Sequence, residues 1–251
     1  MKDGYLNKIY HCDCIDGMQK LDEKSVDLII TSPPYNVDKD YDVYNDFKHP
    51  KDYLKWSSEW ISGCFRVLKD GGRFCLNIAD MINQYESPLS ILLGSIAIER
   101  NFRFYAKIIW IQNDRFNSTA WGSWKSPSCP AFINNYENIL IFYKGDKKIS
   151  GEGADIKGEE FKEWVRTIWQ FSSELDRKYH PAPFPIELPY RLVKLLSFKN
   201  AIVLDPFMGS GSTAYACKVL GRNFIGFDIS KLYCDIARDR TSFTTLGDWN
   251  L

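Results

Sequence analysis

The segment Val203-Leu204-Asp205-Pro206-Phe207-Met208-Gly209-Ser210-Gly211-Ser212-Thr213-Ala214 runs from a short apolar stretch into a turn rich in glycine and hydroxyl residues. Glycines let the backbone approach a ligand closely, and the start of the helix that follows leaves N–H groups without intrahelical partners. A second apolar run, Phe224-Ile225-Gly226-Phe227, ends in Asp228, 23 residues after Asp205. That spacing is close to the ~20 residues that separate a glycine turn from a ribose-binding carboxylate. The pair of runs reads as a βαβ nucleotide site. No Gly-Lys-Ser/Thr follows the turn, which disfavours ATP phosphates. Gly209, Gly211 and Ala214 match the dinucleotide pattern G-x-G-x-x-A, but Asp205 and Pro206 precede the glycines. A carboxylate there repels a pyrophosphate and suits a ligand that carries an ammonium and a sulfonium, as S-adenosylmethionine does. Asp205, Pro206, Phe207, Gly209, Ser210, Gly211, Thr213 and Asp228 are therefore the candidate cofactor residues.

A second constellation is Thr31-Ser32-Pro33-Pro34-Tyr35-Asn36, which ends the apolar run Val26-Asp27-Leu28-Ile29-Ile30. The carboxyl end of a strand is where open α/β sheets bind ligands. Two successive prolines fix the backbone and remove its donors. Acceptors remain, the Ser32 hydroxyl and the local carbonyls, beside the Tyr35 ring. An exocyclic amino group on a nucleobase is a poor nucleophile because its lone pair is delocalised into the ring. Acceptors that bond its N–H groups draw the nitrogen toward tetrahedral geometry. Tyr35 could stack on the base, at roughly 1–3 kcal/mol, once the base has left the helix.

These two turns need elements to hold them. Val26 to Thr31, Arg73 to Ile78, Tyr105 to Ile111, Asn138 to Tyr143, Ile202 to Asp205 and Phe224 to Asp228 read as strands. Asp52 to Leu68, Ser87 to Arg100, Glu187 to Ser197, Ser212 to Leu220 and Lys231 to Arg240 read as helices. This alternation predicts an α/β protein. Asn113 to Asn135 has no period, and Gly145 to Gly158 is polar and glycine-rich. Loops of that length in a compact domain usually carry function.

The chain has 251 residues, 45% hydrophobic and 25% charged, which fits one large α/β domain and excludes a disordered or fibrous chain. No apolar run reaches the length of a membrane span, and the N-terminus has no signal-peptide core, so a soluble cytoplasmic protein is expected. Lys and Arg number 32, as do Asp and Glu. Any nucleic-acid affinity must then come from a local patch and weaken with salt. Ser95 to Pro130 holds five basic and two acidic residues, while residues 1–60 hold eight and twelve. Arg100, Arg103, Arg115 and Lys125 are the candidate phosphate contacts. The seven cysteines show no C-x-x-C pair. They predict reduced thiols and no metal site.

Thr31-Ser32-Pro33-Pro34-Tyr35 together with Asp205-Pro206-Phe207-Met208-Gly209-Ser210-Gly211 resembles the amino-methyltransferases of restriction–modification systems, and the order of the two motifs resembles their permuted beta group. The resemblance covers nearly the whole chain. It implies a Rossmann-like class I methyltransferase fold, with a largely parallel twisted sheet, helices on both faces and circularly permuted motifs, in a single catalytic domain over residues 1–251. Ile9-Tyr10-His11-Cys12-Asp13-Cys14 resembles the segment whose acid, here Asp13, approaches the cofactor's adenine. His180-Pro181-Ala182-Pro183-Phe184-Pro185 resembles the segment that holds the methionine end, which brings in Pro185. Arg66 to Arg73 is also typical of the family.

Ser32, where adenine-N6 members commonly carry Asp, and the Phe184-Pro185 ending both imply cytosine N4 as the acceptor. Adenine N6 is the alternative, and a non-catalytic cofactor-binding subunit is a reading from another class. Ser32, Pro33, Pro34 and Tyr35 are the implied catalytic residues, S-adenosylmethionine the cofactor and double-stranded DNA the substrate. A homodimer and a cognate restriction endonuclease are the further partners the resemblance raises. Gly145 to Lys178 is short for a target-recognition insertion, so recognition is expected to fall partly on Asn113 to Asn135.

Overall fold

The computed structural model describes residues 3–36, 42–43, 47–80, 87–112, 122–132, 134–173 and 184–242. Eight strands form one sheet: β1 (Lys8–His11), β2 (Val26–Thr31), β3 (Leu68–Ile78), β4 (Arg103–Gln112), β5 (Tyr136–Tyr143), β6 (Ile168–Phe171), β7 (Ile202–Asp205) and β8 (Asn223–Asp228). Their order across the sheet is β1-β8-β7-β2-β3-β5-β4-β6. All neighbours are parallel except β5, which runs antiparallel to both β3 and β4.

The helices are α1 (Cys14–Gln19), α2 (Pro50–Val67), α3 (Leu89–Glu99), α4 (Gly158–Trp164), α5 (Glu187–Leu196), α6 (Ser212–Val219) and α7 (Lys231–Ser242). Apart from a register shift between Val26 and Leu28, which puts Val26 on the face of Ile29, the period-2 alternation of the strands sorts their residues onto two faces. Val26 and Ile29 of β2, with Leu204 and Ile225, point into a core built with Met18, Trp60, Ile61, Leu89 and Leu93 of α1, α2 and α3. Leu28 and Ile30, with Val203 and Phe224, point into a second core with Trp164, Leu188, Leu192, Ala214, Cys217 and Ala237 of α4 to α7. A buried apolar residue contributes about 1.5–3 kcal/mol, and a one-residue slip of β2 would exchange its two sets of residues between the cores. That fixes its register and hence the direction of the turn after Thr31.

The expected strands and helices are all present, with ends that differ by a few residues. The expected long helix stops at Val67 rather than Leu68, and β3 begins at once. β1, α1, α4 and β6 are additions. The last two lie in the stretch 145–178. β6 pairs in parallel with β4 and forms a sheet edge, and Trp164 and Trp169 are buried in the second core. The Trp169 indole N–H donates to the Trp164 carbonyl at 3.1 Å. Glu160 pairs with Lys194 of α5 at 2.9 Å, and Glu163 with Arg191 at 3.5 Å. The described part of the insertion is thus packed into the fold.

The chain order along the sheet reverses between β7 and β2. Crevices at such a reversal, beyond the carboxyl ends of the strands, are where open α/β sheets bind ligands. Both motifs sit there, one on each of the two strands.

Candidate active site

Asp205, the last residue of β7, is fully buried. Its Oδ1 accepts from the Thr31 hydroxyl at 3.0 Å and the Phe207 N–H at 3.1 Å, and its Oδ2 from the Thr213 hydroxyl at 2.6 Å. The carboxylate therefore rivets the end of β2 to the glycine turn. Burial pushes its pKa up to about 6, against the lowering effect of the three donors. Thr213 faces inward to this carboxylate and is itself buried.

Beyond Asp205 the chain turns through Gly209 (φ 50°) and Gly211 (φ 88°) into α6. Asp228 ends the neighbouring strand. Its Oδ2 accepts from the Gly209 N–H at 2.8 Å and its Oδ1 from the Ser230 N–H at 2.9 Å. Burial raises its pKa, the two backbone donors oppose the rise, and the repulsion of Asp42 adds to it. Next across the sheet, β1 leads to Asp13, which caps α1 by accepting from the Ile15 N–H at 2.7 Å. The Cys12 N–H bonds the Asp228 carbonyl at 2.9 Å, so the two acids lie on adjacent chain segments. The Phe184 carbonyl accepts from the Ser212 hydroxyl at 3.0 Å, which brings Phe184-Pro185 to the start of α6. Phe207 packs edge-on against Trp60 at 5.3 Å and also meets Trp56 at 5.6 Å.

The fold thus gathers Asp13, Pro185, Asp205, Pro206, Phe207, Gly209, Ser210, Gly211, Thr213 and Asp228 about the ends of β1, β8 and β7. The donor set suits S-adenosylmethionine: three carboxylates and a glycine-lined backbone, with no Walker lysine. Arg240 of α7 donates to the Ser210 carbonyl at 3.4 Å and to the Ser212 hydroxyl at 3.1 Å.

At the end of β2, Ser32 Oγ lies 2.9 Å from the Tyr35 hydroxyl. That hydroxyl donates to Glu137 Oε2 at 3.1 Å. Asn77 Nδ2 donates to the same Oε2 at 2.6 Å, and Gln112 Nε2 to Oε1 at 2.9 Å. Glu137, Asn77 and Gln112 are buried. The Pro34 carbonyl accepts from Tyr53 of α2 at 2.7 Å. Asn36, at φ 58°, exchanges two hydrogen bonds with the Lys48 backbone, at 2.8 and 2.6 Å. Nearby, Asn138 donates to Asp80 at 2.9 Å, and Asp80 accepts from the Ser90 N–H at 2.6 Å. This second chain ties β5 and the end of β3 to the start of α3.

Glu137, Asn77 and Gln112 are not among the candidate residues of the sequence. Glu137 carries a legible signal, an acid at the start of the apolar run Asn138 to Tyr143. Asn77 inside β3 and Gln112 at the end of β4 gain meaning only from strand pairing.

The candidate phosphate contacts are dispersed. Arg103 starts β4, and its Cα partner Tyr143 ends β5, so it lies at the end of the sheet opposite the turns. Arg100 caps α3 and donates to the Ser58 hydroxyl at 2.6 Å. Arg115 lies outside the described residues, as do 113–121, 133 and His180 to Pro183. The Gln112 N–H bonds the Asn135 carbonyl at 2.9 Å, so the loop between them leaves and returns beside Glu137. Lys125 is on that loop, its ammonium 5.5 Å from the exposed Trp124 ring. Cys14, Cys64, Cys75 and Cys217 are buried, and burial raises their thiol pKa values, so none is poised as a nucleophile.

A DNA methylase family model, of the N6/N4 type, matches residues 26–239. The chain belongs to the DNA amino-methyltransferase family. It is 31% identical over 254 residues to the type II methyltransferase M.BglII of Bacillus subtilis, covering 93% of this chain and 68% of that protein. It is 39% identical over 166 residues to M.MjaVI of Methanocaldococcus jannaschii, covering 64% of this chain and 86% of that protein. Among solved structures it is similar to TTHA0409 of Thermus thermophilus in complex with S-adenosyl-L-methionine. The TM-score is 0.75 at 25% identity, over 94% of each chain. It also shares its fold with the cytosine-N4-specific PvuII DNA methyltransferase, at TM-score 0.71 and 19% identity over 95% of this chain and 86% of that one. The Rossmann-like methyltransferase fold, S-adenosylmethionine as cofactor and DNA as substrate follow from the family. No helix among the described residues is long and apolar enough to cross a membrane.

Proposed function

We propose that this methyltransferase acts on the N4 amino group of cytosine at a specific site in double-stranded DNA, by flipping the base and transferring the methyl directly. The observation that carries this reading is Ser32, an uncharged acceptor at the head of the Pro-Pro turn. Its hydroxyl and the Pro33 carbonyl accept from the amino group, while the Pro34 carbonyl is engaged by Tyr53. The Tyr35 ring offers the stacking face.

Bound S-adenosylmethionine supplies a methyl on a sulfonium that loses its charge as the methyl leaves. The residues around it bind and orient. Asp228 offers the lone pairs not used by Gly209 and Ser230 to ribose hydroxyls, Asp13 approaches the adenine, and Pro185 flanks the methionine end. Asp205, locked by Thr31 and Thr213, provides a negative field and holds the glycine turn. The loop carrying Lys125 meets the DNA on the side of the flipped base. Relatives named type II methyltransferases favour a cognate restriction endonuclease and a cytoplasmic setting. A homodimer is a further part of the proposal.

Mass spectrometry of nucleosides from DNA incubated with the enzyme and labelled cofactor tests the acceptor. N4-methylcytosine is expected. N6-methyladenine alone would overturn the base assignment and leave the enzyme class intact.

A further inference from the structure

Glu137 is a buried carboxylate at the start of β5, 8% exposed. Among the described residues no Lys or Arg pairs with it. Its oxygens are held by two neutral amides, Asn77 and Gln112, and by the Tyr35 hydroxyl. Three donors converge on its two oxygens, and a carboxylate, which accepts at both, meets them all at the cost of a buried charge, several kcal/mol for an uncompensated ion. One of the three donors, Tyr35, connects that charge to Ser32.

An ionised carboxylate can only accept. Tyr35 has one hydroxyl proton, and that proton points to Glu137. The 2.9 Å contact between Tyr35 and Ser32 must then be made with the Ser32 proton. The Ser32 Oγ lone pairs are then left to accept, one from Asn77 Nδ2 at 3.5 Å and the other from the target amino group. The carboxylate so sets the polarity of a three-membered chain, and Ser32 is an acceptor because Glu137 is one. We propose that Glu137 is the positioning residue that fixes Ser32 as an acceptor for the target amino group and is the terminal acceptor for the proton that group must shed.

The balance is direct. The N–C bond to the methyl forms as the S–C bond breaks, with that electron pair staying on sulfur. The methylated nitrogen carries one proton too many. Ser32 Oγ takes it while the Ser32 proton moves to Tyr35 and the Tyr35 proton to Glu137 Oε2. Glu137 becomes a neutral acid and returns the proton to water after the product leaves. Asn77 and Gln112 hold the carboxylate in line. The inference rests on the acceptor turn of the proposed function and holds for either base.

The test uses Glu137→Gln and Tyr35→Phe, singly and together, in single-turnover methylation. A glutamine keeps the volume and one acceptor oxygen but cannot take a proton. A phenylalanine keeps the stacking face and cuts the chain in its middle. Each should slow methyl transfer by about 10²-fold, the lower end for general acid–base assistance. The double variant should be no slower than the worse single one, because both break one chain. The solvent deuterium effect on the single-turnover rate should shrink in both. Capture of a fluorescent 2-aminopurine at the target position, read without cofactor, should stay within about twofold of the unaltered chain. An unchanged rate in Glu137→Gln would overturn the proposal, and so would losses that multiply in the double variant or that follow weakened base capture. Ser32→Ala separates the two readings. Full activity there sinks the acceptor turn itself, whereas a slow Ser32→Ala beside a fast Glu137→Gln sinks only the relay.

Discussion

At the scale of single residues, the most consequential group is Asp205. Its oxygens hold Thr31, Thr213 and Phe207, and among the described residues it ion-pairs with no cation. Its carboxyl titrates at about 6 in the folded chain, against about 3.9 for an unperturbed Asp. Between those values the folded state keeps a proton that the unfolded state has released. The contribution of Asp205 to stability is therefore greatest below about pH 4 and is lost as pH rises through 6. A shift of that size corresponds to roughly 3 kcal/mol. Asp205→Asn removes the titration, so the stability difference between variant and natural chain should move in favour of the variant from pH 5 to pH 8. Denaturant melts across that range measure it, and parallel pH curves would refute the assignment. The same charge is useful once a cationic cofactor arrives, so the variant should bind S-adenosylmethionine more weakly at pH 8.

At the scale of elements, the glycine turn is shaped by what stands behind it. Gly211 sits at φ 88°, and a Cβ there would lie 2.8 Å from Ala237 Cβ and 3.0 Å from Ala237 Cα of α7. Gly221, at φ 68°, has open space around it. Ala at either position meets the left-handed penalty of about 1–2 kcal/mol. Only at 211 does overpacking add about 1–3 kcal/mol. Gly211→Ala should therefore lower the melting temperature clearly more than Gly221→Ala, and should displace the N–H groups that start α6. Equal shifts in calorimetry would mean that α7 yields freely and that the turn is not braced by it.

At the scale of the whole molecule, the two ends of the sheet have different tasks. Both turns, Glu137, Gln112 and Asn135 lie at one end, and Arg103 lies at the other. If DNA meets the end with the turns, Lys125→Ala should weaken binding and reduce the slope of log affinity against log salt by about 0.9, the value for one phosphate contact. Arg103→Ala should leave that slope unchanged. Binding titrations over a range of salt concentrations decide between them. A loss of slope with Arg103→Ala would place the DNA across the opposite end.

The alternation of apolar runs and helical periods was enough to read the α/β class, because burial on two faces imposes a local period on every strand and helix. The two ligand turns were legible for a related reason. Gly209, Gly211, Pro33 and Pro34 are backbone requirements that few other residues can meet. The short elements β1, α1, α4 and β6 were not legible, since six residues or so of mixed polarity carry no period and take their structure from the sheet edge or helix they dock on. Nor could the sequence show that Asp205 bonds Thr31, 174 positions away, or that Asn77, Gln112 and Glu137 meet behind Tyr35. Those contacts depend on which strands become neighbours. Pairing of β3 and β4 with the reversed strand β5 is a long-range choice made by the packing of both cores, and it delivers a carboxylate to the turn that Ser32 occupies.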